Sequence, residues 1–470
     1  MAASSPKLRI AIVGGGIGGL SLVLALERFC DIDRLDISVF EAAPLLDQAG
    51  AGIGMYSRTL AMLRDLGLAE ELAPYEGMDK HTLAWRLRKS DQKEGVHIHD
   101  MYLNHGPMML FHRADFQGMI LRRLTPAARV HLSHRLADFQ EDGDEIHLRF
   151  ENGTSATCDV LIGADGLRSS VRSRMADTAR EMASHSEMNR LFAERADPVW
   201  TGTYAFRGLV DAARLAERWP GHPALSTPSQ YVGKCKHITS YPIAQGKYVN
   251  IVPNFSDYSK AGTHLDDATT AKASTADILQ MFEGWEDEVR VLIELMEPLG
   301  RWPIMTLAGL PTYTAGRVIL LGDAAHAMSQ HLGAGAGQGV EDAYVLGKCF
   351  AKALAKAGHE DSATQRDPVR VAAALYNLLR VPVANHVQER STLQGRVYNF
   401  ALDALEVDGS ADEDDDELND RINKVFTLPE GWEKMDALKR MSWMTVDSYN
   451  WQTSAYIRDR DAEAAQVLGI

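Results

Sequence analysis

The run Gly14-Gly15-Gly16-Ile17-Gly18-Gly19 satisfies a GxGxxG spacing, and each fixed glycine in it meets its own physical requirement. Gly14 permits the tight turn, Gly16 lets backbone approach a pyrophosphate, and Gly19 lets a helix pack closely on the preceding strand. A helix beginning there also offers unpaired N–H groups and the positive end of its dipole to phosphate oxygens. Glu41 follows about 20 residues after the last glycine, where a carboxylate accepts hydrogen bonds from an adenosine ribose. The spacing predicts an adenine dinucleotide site and leaves open whether the partner ring is a nicotinamide or a flavin.

The elements around this turn have the pattern it needs. Residues 8–13 form a short aliphatic run ending in glycines, as a buried parallel strand does. Residues 20–29 read as a helix and residues 36–40 as a second strand, giving a βαβ unit that opens a doubly wound sheet. Between residues 200 and 252, strand-like runs such as TYAFRGLV and KYVNIVP alternate with turns. From residue 317 a further strand, RVILLG, leads to a glycine-rich turn and a long helical region ending near residue 407. The expected fold class is α/β, with a doubly wound cofactor domain assembled from residues 1–190 and 311–400. A β-rich substrate domain spans 191–310, and a C-terminal helical extension spans 401–470. In that extension the acidic run at 412–417 reads as a solvated loop, and Trp432, Trp443 and Trp451 read as packed rather than exposed.

Composition restricts the partners. A chain of 470 residues with a formal charge of −15 and no Lys/Arg-dense segment has no electrostatic grip on nucleic acid or anionic membrane. No stretch reaches the roughly 18 uninterrupted apolar residues of a membrane span, and no hydrophobic leader precedes the first strand. Cys30, Cys158, Cys235 and Cys349 lie far apart, without a CxxC pair or metal-ligand spacing. These features predict a cytoplasmic protein with reduced thiols and no metal, binding a small molecule; oligomeric state stays open, with a monomer or homodimer unsurprising.

Two later motifs decide between the rings. DVLIGADGLRSSVR contains Asp165-Gly166 and GRVILLGDAAHAM contains Gly322-Asp323. In this order after GxGxxG, the chain resembles the salicylate hydroxylase branch of the FAD-dependent aromatic monooxygenases, in the p-hydroxybenzoate hydroxylase superfamily. The likeness extends over nearly all of residues 8–400. It implies that Asp165 serves FAD and NAD(P)H binding and that Asp323 hydrogen-bonds the flavin ribityl chain. It also implies that Gly54 of GAGIG lies beside the flavin and that Arg113 of FHRADF contacts the cofactor. In the stretch 333–339, Gly335 and Ala336 stand where a helix N-terminus faces the pyrimidine edge of the flavin, and its positive dipole end stabilises the anionic reduced ring. The cofactors implied are FAD, NADH or NADPH as reductant, and O2 as co-substrate, with a flavin C4a-hydroperoxide as the oxygen donor.

An electrophilic oxygen of that kind requires an electron-rich ring, which is obtained directly by binding a phenol as phenolate. A cation lowers the phenol pKa and a hydrogen-bond donor fixes its orientation. Arg207 of TGTYAFRGLV and Tyr241 of HITSYPI are the candidates, as the resemblance to dearomatising fungal phenol hydroxylases implies. Arg207 also reads as a scaffold ion-pair residue, and Tyr241 as strand-end packing before Pro242. Where the family reads Pro-His-Gln-Gly, this chain has Gln330-His331-Leu332-Gly333, so Gln330 adds a polar group beside the substrate. His331 reads as a structural histidine or a proton shuttle, and His326 as structural. Two outcomes stay open, salicylate-type hydroxylation with oxidative decarboxylation and hydroxylative dearomatisation of a resorcinol-type polyketide. A flavin oxidase or dehydrogenase shares GxGxxG and Glu41 but lacks the paired later motifs.

Overall fold

Aliphatic runs without alternation build the first sheet, because both of its faces are covered. In Leu8–Val13 the residues Ile10 to Val13 are at most 4% exposed, and each buried Ile or Val among them contributes about 1.5–3 kcal/mol. The computed structural model describes residues 7–46, 52–75, 83–104, 106, 108–265, 272–357, 367–402, 405, 421–422, 424–426 and 428–469. The acidic run at 412–417 lies outside these. The sheet has six strands in the spatial order Thr314–Ala315, Val318–Leu320, Val160–Gly163, Leu8–Val13, Leu35–Phe40 and Ala128–His131. All pairings are parallel except the short first one. The predicted βαβ opening is present, with its helix at Ile17–Phe29. That helix starts earlier than its apolar pattern suggests, because Gly16 is its N-cap and Gly18 and Gly19 lie in its first turn.

A second, seven-stranded sheet runs in the order Glu297–Thr306, Val199–Asp211, Tyr248–Ser256, Lys236–Ile243, Ser229–Gly233, Leu83–Lys89 and Val96–Tyr102. Its pairings are antiparallel except for Ser229–Gly233 with Leu83–Lys89. Here the structure departs from the expected assignment of residues 1–190 wholly to the cofactor domain. Two strands from residues 83–102 cross over to complete the substrate sheet. The strand pattern of LAWRLRK identifies a strand but carries no record of its partner, which is a long-range pairing.

Two long helices tie the sheets together. Gly335–Ala357 packs against Ile17–Phe29. Pro368–Tyr398 starts with Asp367 as N-cap and proline in the first turn, and ends by delivering Asn399 against the substrate sheet. The C-terminal helices Ala437–Tyr449 and Ala455–Leu468 begin at the side-chain caps Asp436 and Ser454. Trp432, Tyr449 and Trp451 are buried in a cluster with Trp85 and Leu332. All four cysteines are unpaired. Among the described residues, no helix is long and apolar enough to cross a membrane.

Candidate active site

A single cavity of about 530 Å³ runs from the glycine turn to one face of the seven-stranded sheet. Every residue nominated from the sequence lines it except Gly19. Gly19 acts instead on packing, since a Cβ there would lie 2.1 Å from the Gly14 carbonyl oxygen and only glycine lets the helix seat on the turn. Gly14 has φ +114, a region closed to L side chains, and a Cβ would meet the Ala164 carbonyl at 2.2 Å. The turn therefore keeps its bare backbone toward the cavity.

Glu41 ends the second strand with both carboxylate oxygens anchored, one by the Gly15 N–H and one by the Ala43 N–H, each at 2.8 Å. A carboxylate has about four acceptor positions, so lone pairs remain for a ribose. Asp165 likewise has each oxygen engaged once while lining the cavity. It accepts from Ser169 Oγ at 2.5 Å and the Val171 N–H at 3.2 Å, which fastens the loop to the N-terminus of helix Ser170–Glu181. Burial pushes its carboxyl pKa up, and the Ser169 hydrogen bond opposes this.

Arg172, the last residue of DVLIGADGLRSSVR but not nominated from the sequence, joins the two later motifs. Its buried guanidinium donates to the carbonyls of Leu167 (2.5 Å), Ala196 (2.7 Å) and Ala324 (2.9 Å). The Gly322-Asp323 turn is held from the other side by Asp342, which accepts from the Gly322 N–H at 2.8 Å and contacts His326 Nε2 at 2.5 Å. His326 is thus part of a fully buried ion network, in keeping with a structural role. The Asp323 carboxylate is exposed into the cavity and has no hydrogen-bond partner among the described residues.

At the other end stands a group with a polar atom that has no partner among the described residues. Arg113 begins helix Arg113–Arg123, and its Nε is buried and unpaired. An orphaned buried donor is costly, and a polar cofactor entering the cavity would relieve it. Gly54 pairs with Leu110 between Gly52–Met55 and Met109–His112, and a Cβ on it would lie 2.6 Å from Met108 Sδ. Gly335 and Ala336 open the helix Gly335–Ala357 at the cavity wall. The glycine turn, the unpaired Arg113 and Asp323, and this helix N-terminus together fit a dinucleotide with an attached ring system.

Arg207 lies on Val199–Asp211 at a register irregularity before Gly208, of the kind that re-aims a side chain. Its guanidinium sits 5.2 Å from the Trp302 ring centroid and has no carboxylate partner among the described residues. Burial lowers its pKa, the Tyr241 phenol works in the opposite sense, and Arg113 adds to the lowering. Tyr241 is pushed up to about 12 by burial, against the pull of Arg207. A Cβ on Gly52 would meet its hydroxyl at 2.6 Å, so Tyr241 reaches the strand that carries Gly54.

Gln330 donates to Asn254 Oδ1 at 2.8 Å and is thereby held to the sheet. His331 packs edge-on to His237 with ring centroids 5.1 Å apart. Burial drives its pKa well below the ordinary imidazole value, and the neighbouring His237 imidazole adds to the drop. The carbonyl of His331 accepts from Tyr449 at 2.9 Å, and that of Leu332 from Tyr56 at 2.5 Å. The cavity also exposes Gln230, His237, Thr239, Asn250 and Tyr449, none of which was nominated from sequence. His237 and Thr239 were within reach, since they share the face of Tyr241 by strand alternation. Tyr449 was not, because nothing in a distant helix marks it as cavity wall.

Removing the Asp323 carboxylate tests its placement. Asp323→Ala is expected to weaken FAD retention by about 10- to 100-fold, the worth of a charged hydrogen bond. Apoprotein stability should stay within about 1 kcal/mol of wild type, because the exposed carboxylate makes no hydrogen bond among the described residues and only its charge toward Arg172 is lost. Flavin content after ultrafiltration, measured beside apoprotein melting, decides; full flavin retention would contradict the placement.

Known proteins resemble the chain over most of its length. Residues 7–213 and 263–374 match a family described as FAD binding domain. A salicylate hydroxylase of Pseudomonas putida is 34% identical over 402 residues, covering 84% of this chain and 86% of that protein. An FAD-dependent monooxygenase of Strobilurus tenacellus is 30% identical over 470 residues, covering 92% and 97%. Among solved structures, a salicylate hydroxylase substrate complex superposes with a TM-score of 0.70 at 27% identity, covering 94% of this chain and 98% of that one.

Proposed function

Since the chain belongs to the FAD binding domain family and is an FAD-dependent monooxygenase, we propose that it uses NADH or NADPH and O2 to hydroxylate a phenolic aromatic substrate. The observation that carries this reading is the continuous cavity with a dinucleotide cradle at one end and the unpaired Arg207, beside Tyr241, at the other. Gly14, Gly16, Glu41 and Asp323 would hold the adenosine and ribityl portions of FAD, with Gly54, Arg113, Gly335 and Ala336 around its ring. FAD, when bound, supplies the redox chemistry that activates O2.

The protein's own part is positioning and electrostatics. Arg207 favours the phenolate of the substrate, because a nearby cation in a partly dry cavity stabilises the charged form. Tyr241 stays protonated across the working pH range and donates a hydrogen bond that orients the ring. The buried cluster of Trp85, Leu332 and Tyr449 excludes water from this end. The salicylate hydroxylase relatives favour hydroxylation with loss of a carboxylate. The pairing of Tyr241 with Arg207 favours a second outcome, dearomatising hydroxylation of a resorcinol-type ring.

The test is NAD(P)H oxidation by the flavin-loaded protein with salicylate and a panel of resorcinolic aldehydes and acids, with product analysis. Stimulated oxidation with an oxygenated product is expected, and loss of CO2 or of aromaticity assigns the outcome. Flavin reduction by the aromatic compound itself, without NAD(P)H, would instead identify an oxidase or dehydrogenase.

A further inference from the structure

His237 lies on Lys236–Ile243, is 1% exposed, and faces the cavity two strand positions from Thr239 and four from Tyr241. Its Nδ1 is 2.7 Å from Asn399 Oδ1. Asn399 is itself oriented, because its Nδ2 donates to Ser256 Oγ and Tyr258 OH, both at 2.8 Å. An amide oxygen facing Nδ1 requires the proton on Nδ1, which leaves Nε2 as a bare acceptor. Nε2 has no protein partner among the described residues and is not sealed from the cavity. Burial lowers the His237 pKa to about 4, against the opposing hydrogen bond to Asn399, so the ring is neutral at working pH.

Register fixes where this acceptor stands. Thr239 pairs with Val252 and Gln230. Arg207, between the pairs Ala205 with Asn254 and Gly208 with Ile251, lies in that same row. Tyr241 is one row to one side and His237 one row to the other, about 13 Å apart along the strand at the usual rise. A ring held over the central row therefore lies between the two.

We propose that His237 is a specificity-determining acceptor, selecting substrates that carry a hydroxyl on the ring edge opposite the one held by Arg207 and Tyr241. The inference rests on the functional reading above and narrows the substrate class to phenols with oxygen functions on two opposite edges. Asn399 acts as a positioning residue that keeps the imidazole in its accepting tautomer. A ligand lacking the second hydroxyl leaves Nε2 buried without a partner.

The test is binding alone, by flavin absorbance perturbation of the FAD-loaded protein without NAD(P)H, using 2,5-dihydroxybenzoate, whose two hydroxyls are para to one another, and salicylate. Wild type is expected to bind the dihydroxy compound tighter by about 10-fold or more, the worth of a buried acceptor that is otherwise left unpaired. His237→Leu should erase the preference, and His237→Gln, which keeps an acceptor, should restore part of it. Equal binding of the two compounds by wild type overturns the inference even if His237→Leu does not fold, as does a preference that survives in a folded His237→Leu protein. Binding of neither compound, nor of any aromatic in the wider panel, overturns the functional reading and this inference with it. Binding without the hydroxyl preference overturns only the role of His237.

Discussion

Arg207→Ala is expected to lower substrate-stimulated kcat/KM by about 100-fold or more while the protein keeps its FAD. The size follows from two losses. A charged hydrogen bond to the phenolate is worth about 1.5–3 kcal/mol, and without the cation the phenol pKa rises, so less of the ring is in its reactive form. Flavin retention follows from placement: Arg207 stands on the substrate sheet with its guanidinium over Trp302 and touches none of the glycine turn. Arg207→Lys keeps the charge but loses the planar fork, so a partial recovery is expected. Steady-state NAD(P)H oxidation with and without substrate, alongside the flavin-to-protein ratio, makes the measurement. Unchanged stimulation would make Arg207 a scaffold residue, and colourless protein would place it in the cofactor site instead.

The second large effect is on stability. Arg380 is 2% exposed, and its guanidinium donates to Asp342 at 2.7 Å, Gln338 at 2.7 Å and Glu341 at 3.3 Å. Burial works to raise the Asp342 carboxyl, yet the charges of His326 and Arg380 hold it down at about 2. Arg380→Met fills similar space but leaves buried carboxylates without their main counter-charge, which costs about 3–5 kcal/mol. Because Asp342 also anchors the Gly322 N–H, the loss should appear together with weaker FAD binding. Denaturant unfolding of the apoprotein, paired with flavin titration, checks both. A change below about 1 kcal/mol would mean that His326 and Arg58, which lies 3.2 Å from Glu341, suffice to compensate the carboxylates.

This network also explains a difference between two residues that look alike in the sequence. Asp323 and Asp342 both stand within three residues after a glycine, yet one faces the cavity without a hydrogen-bond partner among the described residues and the other is a structural anchor. Chain position could assign Asp323 only through its motif, and Asp342 carries no motif at all. The DG motif shows the same limit. Asp165 lines the cavity with one hydrogen bond accepted on each oxygen, from Ser169 and Val171, and the link to the Gly322-Asp323 turn is made by Arg172.

What the sequence determined by itself is the part of the molecule built from local chemistry. The turn at Gly14 to Gly19, the βαβ opening and the carboxylate of Glu41 depend on φ, on helix ends and on short spacing, all written within some thirty consecutive residues. What only the tertiary structure decided is every relation across the chain. It recruits residues 83–102 into the substrate sheet, sets His237 against Asn399, and brings Tyr449 from the C-terminal helices to the His331 carbonyl. Such contacts join residues whose separation leaves no periodic trace, and strand register, not residue type, selects which face of an alternating strand meets the substrate.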